Sequence, residues 1–269
     1  MSLKLTLHTS PTVPLEAENI SPDCVEGLTA AEIAALPAYH GNQQATLGDF
    51  FTIEGSANGE IELEGDLKKV KMIGTRMSHG RIVIHGDAGM HLGTNMSGGE
   101  IVVEGDAGDW AGAEMSGGVL EIKGNAGNAL AANFRGTHVG MQGGEIFVHG
   151  NAGSEVGGAM RRGLIAIGGD SGDFTGVNMK AGSIIVLGEL GWRTAAGMVR
   201  GTIVSMHEAR ILPTFTYATT YRPSFLRLYL VRLREMGLPV EDAQLNGLYH
   251  RWSGDSVELN RGEILIFDR

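Results

Sequence analysis

The stretch that decides the fold is Met96-Ser97-Gly98-Gly99-Glu100-Ile101-Val102-Val103-Glu104-Gly105-Asp106-Ala107-Gly108. Its opening, a methionine followed three residues later by a glycine, recurs seven times, at Met77/Gly80, Met96/Gly99, Met115/Gly118, Met141/Gly144, Met160/Gly163, Met179/Gly182 and Met198/Gly201. Five of the six steps between these methionines are 19 residues, and the third step is 26 residues. A fixed period of this length indicates stacked repeat units, each too small to fold alone.

Within each repeat unit, apolar side chains alternate with variable ones. The fifth position after the methionine is always isoleucine or leucine: Ile82, Ile101, Leu120, Ile146, Ile165, Ile184 and Ile203. The seventh position is isoleucine or valine in six units and Ser205 in the last one. This alternation is typical of a half-buried strand, and the glycines at the ninth and twelfth positions permit tight corners.

We therefore predict an all-β protein, a parallel β-helix (β-solenoid) of about eight 19-residue coils. The solenoid spans residues 57–207, and the segment from Leu47 to Gly55 is a candidate first strand of the stack. Residues 1–56 and 208–269 are predicted to form small α+β caps at the two ends, because open sheet edges must be covered.

The predicted caps contain strands and helices. In the N-terminal cap we expect a strand from Leu3 to Leu7 and a short helix over residues 29–36, where Thr29 and Glu32 have capping-box spacing. In the C-terminal cap we expect a helix from Pro223 to Met236 and closing strands at 248–252 and 263–267. The apolar face of that helix is predicted to comprise Phe225, Tyr229, Leu233 and Met236.

Composition limits the functions that fit this chain. A net charge of −10 over 269 residues argues against nucleic-acid binding, which normally needs a basic face. Cys24 is the only cysteine, which excludes an intrachain disulfide and suits a reducing compartment. Without a long apolar run or a basic-plus-apolar leader, we expect a cytoplasmic protein with no membrane partner.

Candidate catalytic and ligand-binding patterns give no site. His79, His85 and His91 fall in different columns of one unit, which does not suit a compact metal cluster. We interpret the column that follows the corner glycine as turn residues that bond their own backbone, rather than as calcium ligands: Asp87, Asp106, Asn125, Asn151 and Asp170. Neither phosphate-cradling glycine motif is present. The sequence therefore predicts no catalytic, cofactor-binding or metal-binding residue on this chain.

Two segments are candidates for contact with other proteins. The 26-residue step contains a seven-residue insertion within residues 133–140, and insertions in solenoids protrude as loops. Phe134, Arg135 and His138 in this loop suit an interface, since aromatic and arginine side chains are common anchors. The C-terminal helix carries an apolar band wide enough for burial on two sides, and we assign Phe225, Leu226, Tyr229 and Leu230 to the same interface.

The repeat Met-Ser-Gly-Gly-x-Ile-x-Val-x-Gly-Asn/Asp-Ala-Gly resembles the glycine-rich β-helix of glutamate synthase and of the formylmethanofuran dehydrogenase C subunit. Three further stretches resemble the opening of the dehydrogenase C subunit: Val13-Pro14-Leu15-Glu16-Ala17-Glu18-Asn19-Ile20, His40-Gly41-Asn42 and Leu47-Gly48-Asp49-Phe50-Phe51. The arm that contains Tyr221-Arg222-Pro223-Ser224-Phe225-Leu226-Arg227 is more similar to the C subunit of the bacterial formyltransferase/hydrolase complex of methylotrophs.

This resemblance implies a non-catalytic scaffold in one-carbon metabolism. The complex transfers a formyl group from formyl-tetrahydromethanopterin to a methanofuran-type carrier and hydrolyses it to formate. The implied partners are the hydrolase-like A and B subunits and the formyltransferase-like D subunit. Those subunits are expected to hold the carrier, the pterin and the hydrolase metal, and no catalytic residue transfers to this chain.

Three alternatives stay open at this point. The first is the C subunit of a molybdenum or tungsten formylmethanofuran dehydrogenase, which metal analysis of the purified complex would distinguish. The second is a carbohydrate-active β-helix enzyme, although the exterior aromatics Trp110, Phe174 and Trp192 are spread over separate units. The third, a glutamine-dependent synthase fragment, lacks the N-terminal nucleophilic cysteine and the flavin motif.

Overall fold

Strands dominate the computed structural model, which describes residues 2–268. The strands are β1 Leu3–Leu7, β2 Leu15–Glu16, β3 Pro37–His40, β4 Gln43–Thr46, β5 Phe51–Glu54, β6 Glu60–Glu64, β7 Val70–Lys71, β8 Arg81–His85, β9 Glu100–Val103, β10 Val119–Ile122, β11 Gln142–Val148, β12 Arg162–Ile167, β13 Ser183–Val186, β14 Arg200–Ser205, β15 Thr216–Tyr221, β16 Tyr249–Gly254 and β17 Arg261–Phe267. The helices are few and short: α1 Pro22–Val25, α2 Ala30–Ala34, α3 Leu226–Glu235, α4 Asp242–Asn246 and a 3-10 turn at Leu47–Asp49. The protein is thus mostly β, as predicted.

One large sheet contains a strand from every repeat unit. It has 13 strands in the order β15-β16-β17-β14-β13-β12-β11-β10-β9-β8-β6-β1-β5. Neighbouring repeat strands pair in parallel with like columns in register, so that Ile82 lies beside Ile101 and Ile101 beside Leu120. The seven-residue insertion leaves this register intact, because Leu120 still pairs with Ile146. A smaller sheet has the order β4-β3-β2-β7.

The N-terminal strand β1 takes a place inside the parallel ladder. It pairs in parallel with β6, with Leu3 beside Ile61, and antiparallel with β5 on its other side. The expectation that the segment from Leu47 to Gly55 opens the parallel stack is therefore wrong. That segment supplies the 3-10 turn and then β5, which lies antiparallel at the edge of the sheet. The capping box of Thr29 and Glu32 is confirmed at the start of α2.

The C-terminal segment closes the opposite end of the sheet in a similar way. Strand β17 pairs in parallel with β14, with Ile203 beside Ile264, and thus continues the ladder after a long excursion of the chain. Strands β16 and β15 then add antiparallel to it. The two predicted closing strands are confirmed with shifted bounds. Helix α3 begins at Leu226 rather than Pro223.

A second set of contacts joins the units at their corners. Single parallel bridges connect Leu67, Ala88, Ala107, Ala126, Ala152, Ser171 and Leu190 in succession. Shortly after Ala88 and its equivalents, the chain turns through a left-handed residue with φ between 56° and 62°: His91, Trp110, Ala129, Glu155, Phe174 and Arg193. The left-handed conformation is costly for these L-residues. Their amides donate to the next unit, for example Trp110 N to Asn128 O at 2.9 Å, which offsets part of that cost.

The inner core is a set of columns that repeat from unit to unit. All seven repeat methionines and the isoleucine or leucine column are fully buried. The Met/Gly motif has a direct explanation across units. A Cβ built at Gly118 would lie 2.7 Å from Cε of Met96, so that the methionine of one unit occupies the space left by the glycine of the next. The same relation recurs between Met77 and Gly99 and between Met115 and Gly144.

A second core lies on the outer face of the sheet, under helix α3. Phe147, Ala166 and Ile185 on the strands are buried there against the helix side chains Leu226, Leu230 and Leu233. The sequence predicted a variable, solvent-facing outer column, and this is wrong for the C-terminal half because α3 covers it. The predicted apolar face of α3 is confirmed in part. Leu233 is buried, and Tyr229 and Met236 are partly buried against this second core, whereas Phe225 is exposed. Leu226 and Leu230 complete the buried face.

Candidate partner interface

The insertion forms a surface loop that is held in place by its own hydrogen bonds. The Asn133 side-chain amide donates to the carbonyl oxygens of Phe134 and Thr137, at 2.9 and 2.8 Å. The backbone amide of Phe134 donates to Oε1 of Glu114 in the preceding unit at 3.1 Å. Lys180 Nζ donates to the carbonyl oxygen of His138 from the other side. A loop fixed at both flanks presents its remaining side chains with little further loss of conformational entropy on binding.

An aromatic cluster connects this loop to the corners of the two preceding units. The rings of His91 and Trp110 stack with centroids 5.6 Å apart and an interplanar angle of 19°. The ring of Phe134 packs against His91 at 5.6 Å. The left-handed corner residues point their side chains away from the inner core, which brings rings from separate units together. Phe134 is therefore half-buried in this cluster, whereas Arg135 and His138 are exposed.

Shallow cavities surround the insertion loop. One of about 310 Å³ is lined by Asn133, Glu155, Phe174 and Asn178, among others. Another, of about 320 Å³, is lined by Arg135, Trp110 and Glu155 and lies on the other side of Asn133. Indented surfaces flanked by aromatic and arginine side chains are common features of protein interfaces.

Helix α3 places the four predicted interface residues in different environments. Leu226 and Leu230 are buried at 1% and 0% exposure against the sheet of the chain itself. They are core residues, and we remove them from the predicted interface. Tyr229 is half-buried, and Phe225 is 38% exposed.

Two exposed residues of α3 were missed from the sequence. Leu228 is 77% exposed and Val231 is 39% exposed, and together with Phe225 they form an apolar stripe at a spacing of three residues on the outer side of the helix. The i, i+3 spacing of these residues was a readable signal for a shared helix face. The spacing of four between Phe225 and Tyr229 defines an equally apolar face, so the sequence alone does not show which of the two faces is exposed.

The aspartate and asparagine column has a structural role that differs from the expected one. These side chains accept hydrogen bonds from the next unit rather than from their own turn: Oδ1 of Asp87 accepts from Asp106 N at 2.7 Å, and Oδ1 of Asp106 accepts from Asn125 N at 2.6 Å. The glycine before each donating amide leaves room for this contact, since a Cβ at Gly105, which precedes Asp106, would lie 2.2 Å from Oδ1 of Asp87.

Two histidines on the sheet, His85 and His149, have carboxylate partners in neighbouring repeat units. His85 Nδ1 lies 3.0 Å from Oε2 of Glu104, and this hydrogen bond raises the pKa of His85 although partial burial opposes it. His149 Nε2 lies 2.9 Å from Oε1 of Glu121. Burial alone would raise the pKa of Glu121, but the hydrogen bonds from Lys123 and His149 outweigh it and lower that pKa.

A metal-binding cluster and a membrane-spanning helix are both missing from residues 2–268. Over that range, no group of three or more histidine, cysteine, aspartate and glutamate side chains is arranged to hold a metal ion. None of the helices in the described part of the chain has the length and apolar character that a membrane crossing requires.

Individual relatives, rather than a family model, assign the chain to a family. No family model matches the sequence. The C subunit of the tungsten-containing formylmethanofuran dehydrogenase 2 of Methanococcus maripaludis is 46% identical over 258 residues, which cover 95% of this chain and 92% of the relative. The C subunit of the molybdenum-containing formylmethanofuran dehydrogenase 1 of Methanothermobacter thermautotrophicus is 44% identical over 82 residues. That match covers 30% of this chain and only 20% of the relative's length.

A solved structure matches over the whole chain. It is a chain in the crystal structure of the formyltransferase/hydrolase complex (FhcABCD) from Methylorubrum extorquens in complex with methylofuran. The TM-score is 0.93 at 32% sequence identity, and the match covers 99% of this chain and all of that one. With the identity of 46% to a full-length relative, these matches show that the chain belongs to the family of formylmethanofuran dehydrogenase C subunits.

Proposed function

We propose that this chain is the scaffold subunit of a formyltransferase/hydrolase complex. The complex would transfer a formyl group from formyl-tetrahydromethanopterin to a methanofuran-type carrier and hydrolyse it to formate. The observation that carries the proposal is the structural match to a chain of such a complex over the full length of both chains, at a TM-score of 0.93. The proposed partners are the hydrolase-like A and B subunits and the formyltransferase-like D subunit.

The proposed architecture is a parallel β-solenoid. Three findings support it: the register of 19 residues between neighbouring strands, the separate line of corner bridges and the shared left-handed residues. We assign residues 57–207 to the solenoid, and residues 1–56 and 208–269 to the two caps. Strands β1 and β17 reach from the caps into the ladder, which joins each cap firmly to the stack.

The proposed role is structural rather than catalytic. The carboxylates and histidines described above are occupied with neighbouring repeat units, as with Asp87 and Asp106 in the corner column and with His85 and Glu104 on the sheet. Groups that hold one unit to the next are poorly placed to move protons for a substrate. We assign the carrier, the pterin and the hydrolase metal of the complex to its other subunits.

The proposed partner interface has two parts. The first is the insertion loop, with Phe134, Arg135 and His138. The second is the exposed side of α3, where Phe225 from the sequence prediction is joined by Leu228 and Val231. Tyr229 is half-buried beside them, with its ring centroid 6.4 Å from that of Phe225. Both parts project beyond the regular surface of the repeat units, where a partner can reach them.

Co-expression with the other subunits tests the proposal. The variant Phe134→Ala/Arg135→Ala should reduce the amount of complex recovered, while the isolated chain stays folded. The control is Trp192→Ala/Arg210→Ala, an aromatic ring with an arginine at another surface position, whose guanidinium carbon lies 4.4 Å from the ring centroid. Recovery of the wild-type chain as a monomer that does not associate with those subunits would contradict the proposed function.

A second candidate function is favoured by the full-length sequence match. The relative from the tungsten-containing dehydrogenase is 46% identical, against 32% for the chain of the formyltransferase/hydrolase complex. The chain would then scaffold a formylmethanofuran dehydrogenase. Metal analysis of the purified native complex distinguishes the two: stoichiometric molybdenum or tungsten supports the dehydrogenase, and its absence supports the hydrolase.

A further inference from the structure

Charge is distributed unevenly along this chain. Residues 1–160 contain 20 acidic and 8 basic residues, a net charge of −12, whereas residues 161–269 contain 11 acidic and 13 basic residues, a net charge of +2. The overall charge of −10 therefore conceals a change of sign near the insertion loop. Potentials of opposite sign on the two halves of a molecule orient it toward charged partners.

The basic residues next to the loop form a groove on the surface. This basic groove is lined by Arg161, Arg162, Lys180, Ala181, Val199 and Arg200, and its volume is about 570 Å³. The strand register pairs Leu164 with Ser183 and Ser183 with Thr202, and the residues two positions before these three are Arg162, Ala181 and Arg200. We call these three residues a column. Arg261 in β17 lies directly opposite Arg200 and extends the column by a further strand. The four neighbouring strands span roughly 14 Å.

The arginines of the basic groove differ from the other arginines of the chain in their ion pairing. Elsewhere Arg81, Arg232 and Arg251 each pair with a glutamate, at 2.8, 2.8 and 2.7 Å. Among residues 2–268, no carboxylate forms an ion pair with Arg161, Arg162, Arg200 or Arg261. Like charges that are directly opposite in a sheet destabilise it, so the Arg200–Arg261 pair works against folding. A partner that carries carboxylates would remove this repulsion.

The groove is continuous with the proposed interface. Lys180 lines both the basic groove and a cavity of about 270 Å³ under the insertion loop, and its ammonium group donates to His138. A partner that contacts the loop would therefore also meet the basic groove. Arginine binds carboxylates through two parallel hydrogen bonds, which suits an extended acidic surface better than a single small anion in an open groove.

We propose that the basic groove, extended by Arg261, binds an acidic strip on the surface of another subunit of the complex. This inference rests on the proposed scaffold function and adds the chemistry of the partner surface. The groove would guide the approach of that subunit by long-range attraction and then fix its register through arginine–carboxylate pairs. Such contacts act mainly on the association rate and on specificity.

The test compares charge-reversal variants in the co-expressed complex. Arg162→Glu/Arg200→Glu should weaken the affinity for the remaining subunits by about tenfold or more at low salt, and should remove most of the salt dependence that the wild type shows. The control Lys68→Glu/Arg76→Glu makes the same change in net charge on the acidic half, where both side chains are exposed. The conservative Arg162→Lys/Arg200→Lys should keep most of the salt-dependent affinity. All variants should stay folded, and Arg200→Glu should not lower the melting temperature, because it removes the repulsion from Arg261.

The outcomes separate this inference from the proposed function. If the wild-type chain assembles and the glutamate variant binds as tightly as its control, the inference is overturned while the scaffold role stands. Failure of the wild-type chain to assemble contradicts the scaffold role itself. A single-stranded RNA titrated into the wild-type complex tests the other class of polyanion. Tight RNA binding that is lost in the glutamate variant, with unchanged assembly, would also overturn the inference.

Discussion

At the residue scale, methionine and glycine work as a pair that crosses from one repeat unit to the next. The Met/Gly spacing inside one unit suggested a local motif, but the methionine fills the space above a glycine of the following unit, as with Met77 and Gly99. The sequence reveals the columns and their period. It does not reveal which columns of adjacent units face each other, because that depends on the path of the chain around the corners.

A substitution at one of these glycines tests the pairing. Gly118→Ala should lower the free energy of unfolding by about 3 kcal/mol, because the added Cβ would lie 2.7 Å from Met96 Cε and 2.8 Å from Gly99 O, at a φ of +85°. The control is Gly136→Ala, with a φ of +93° and open space around its Cβ. Chemical denaturation of both variants measures the difference. Equal losses of stability would mean that the positive φ, rather than the contacts with the preceding unit, accounts for the effect.

The corner aspartates also have partners in an adjacent unit that the sequence does not reveal. The sequence shows that these residues are mostly acidic and follow a glycine. It predicts that they bond the backbone of their own turn rather than calcium. The structure directs Asp87 to the amide of Asp106 in the next unit. A one-dimensional pattern favours local partners such as the residue's own turn, whereas stacking brings a backbone amide 19 residues away within 2.7 Å.

At the scale of elements, helix α3 has two apolar faces with different roles. Leu226, Leu230 and Leu233 cover the outer column of the sheet, and Phe225, Leu228 and Val231 remain exposed. The sequence predicted the helix and a wide apolar band, but it did not assign Leu226 and Leu230 to the buried face. Which face turns inward depends on where the arm Thr216–Tyr221 delivers the chain, and the spacing of apolar residues within the helix carries no information on that.

Truncations on the two faces should have opposite consequences. Leu230→Ala should reduce the free energy of unfolding by about 3 kcal/mol, because it opens a cavity in the outer core. Leu228→Ala should leave stability unchanged and reduce the recovery of the complex, because its side chain is 77% exposed. Thermal denaturation and co-purification of each variant with the partner subunits provide the two readouts. A Leu228→Ala variant that assembles fully would remove α3 from the proposed interface.

At the scale of the whole molecule, both ends of the large sheet finish with antiparallel strands. β5 closes one end and β16 with β15 closes the other, so neither end presents a parallel repeat strand to solvent. The sequence predicted caps, but not that β1 and β17 would join the parallel ladder itself. Such pairings join residues that are far apart in the chain, as with Ile203 and Ile264, and no periodic signal marks them.

Removal of the C-terminal segment tests the capping role. Deletion of residues 208–269 would uncover the edge of β14 and the buried outer column, including Phe147 and Ile185. Exposed edges and large apolar surfaces promote association. The truncated chain should therefore elute as oligomers or aggregates in size-exclusion chromatography with light scattering, whereas the full-length chain should not. A monomeric, folded truncation product would contradict this role.

The undisturbed register on either side of the insertion has one more consequence. Each 19-residue unit adds one strand, about 4.8 Å, to the length of the molecule. Gain or loss of a unit would therefore shift two attachment points by a whole step and never by a fraction of one. The distance between the subunits that this chain is proposed to hold could therefore change only in whole multiples of one repeat unit.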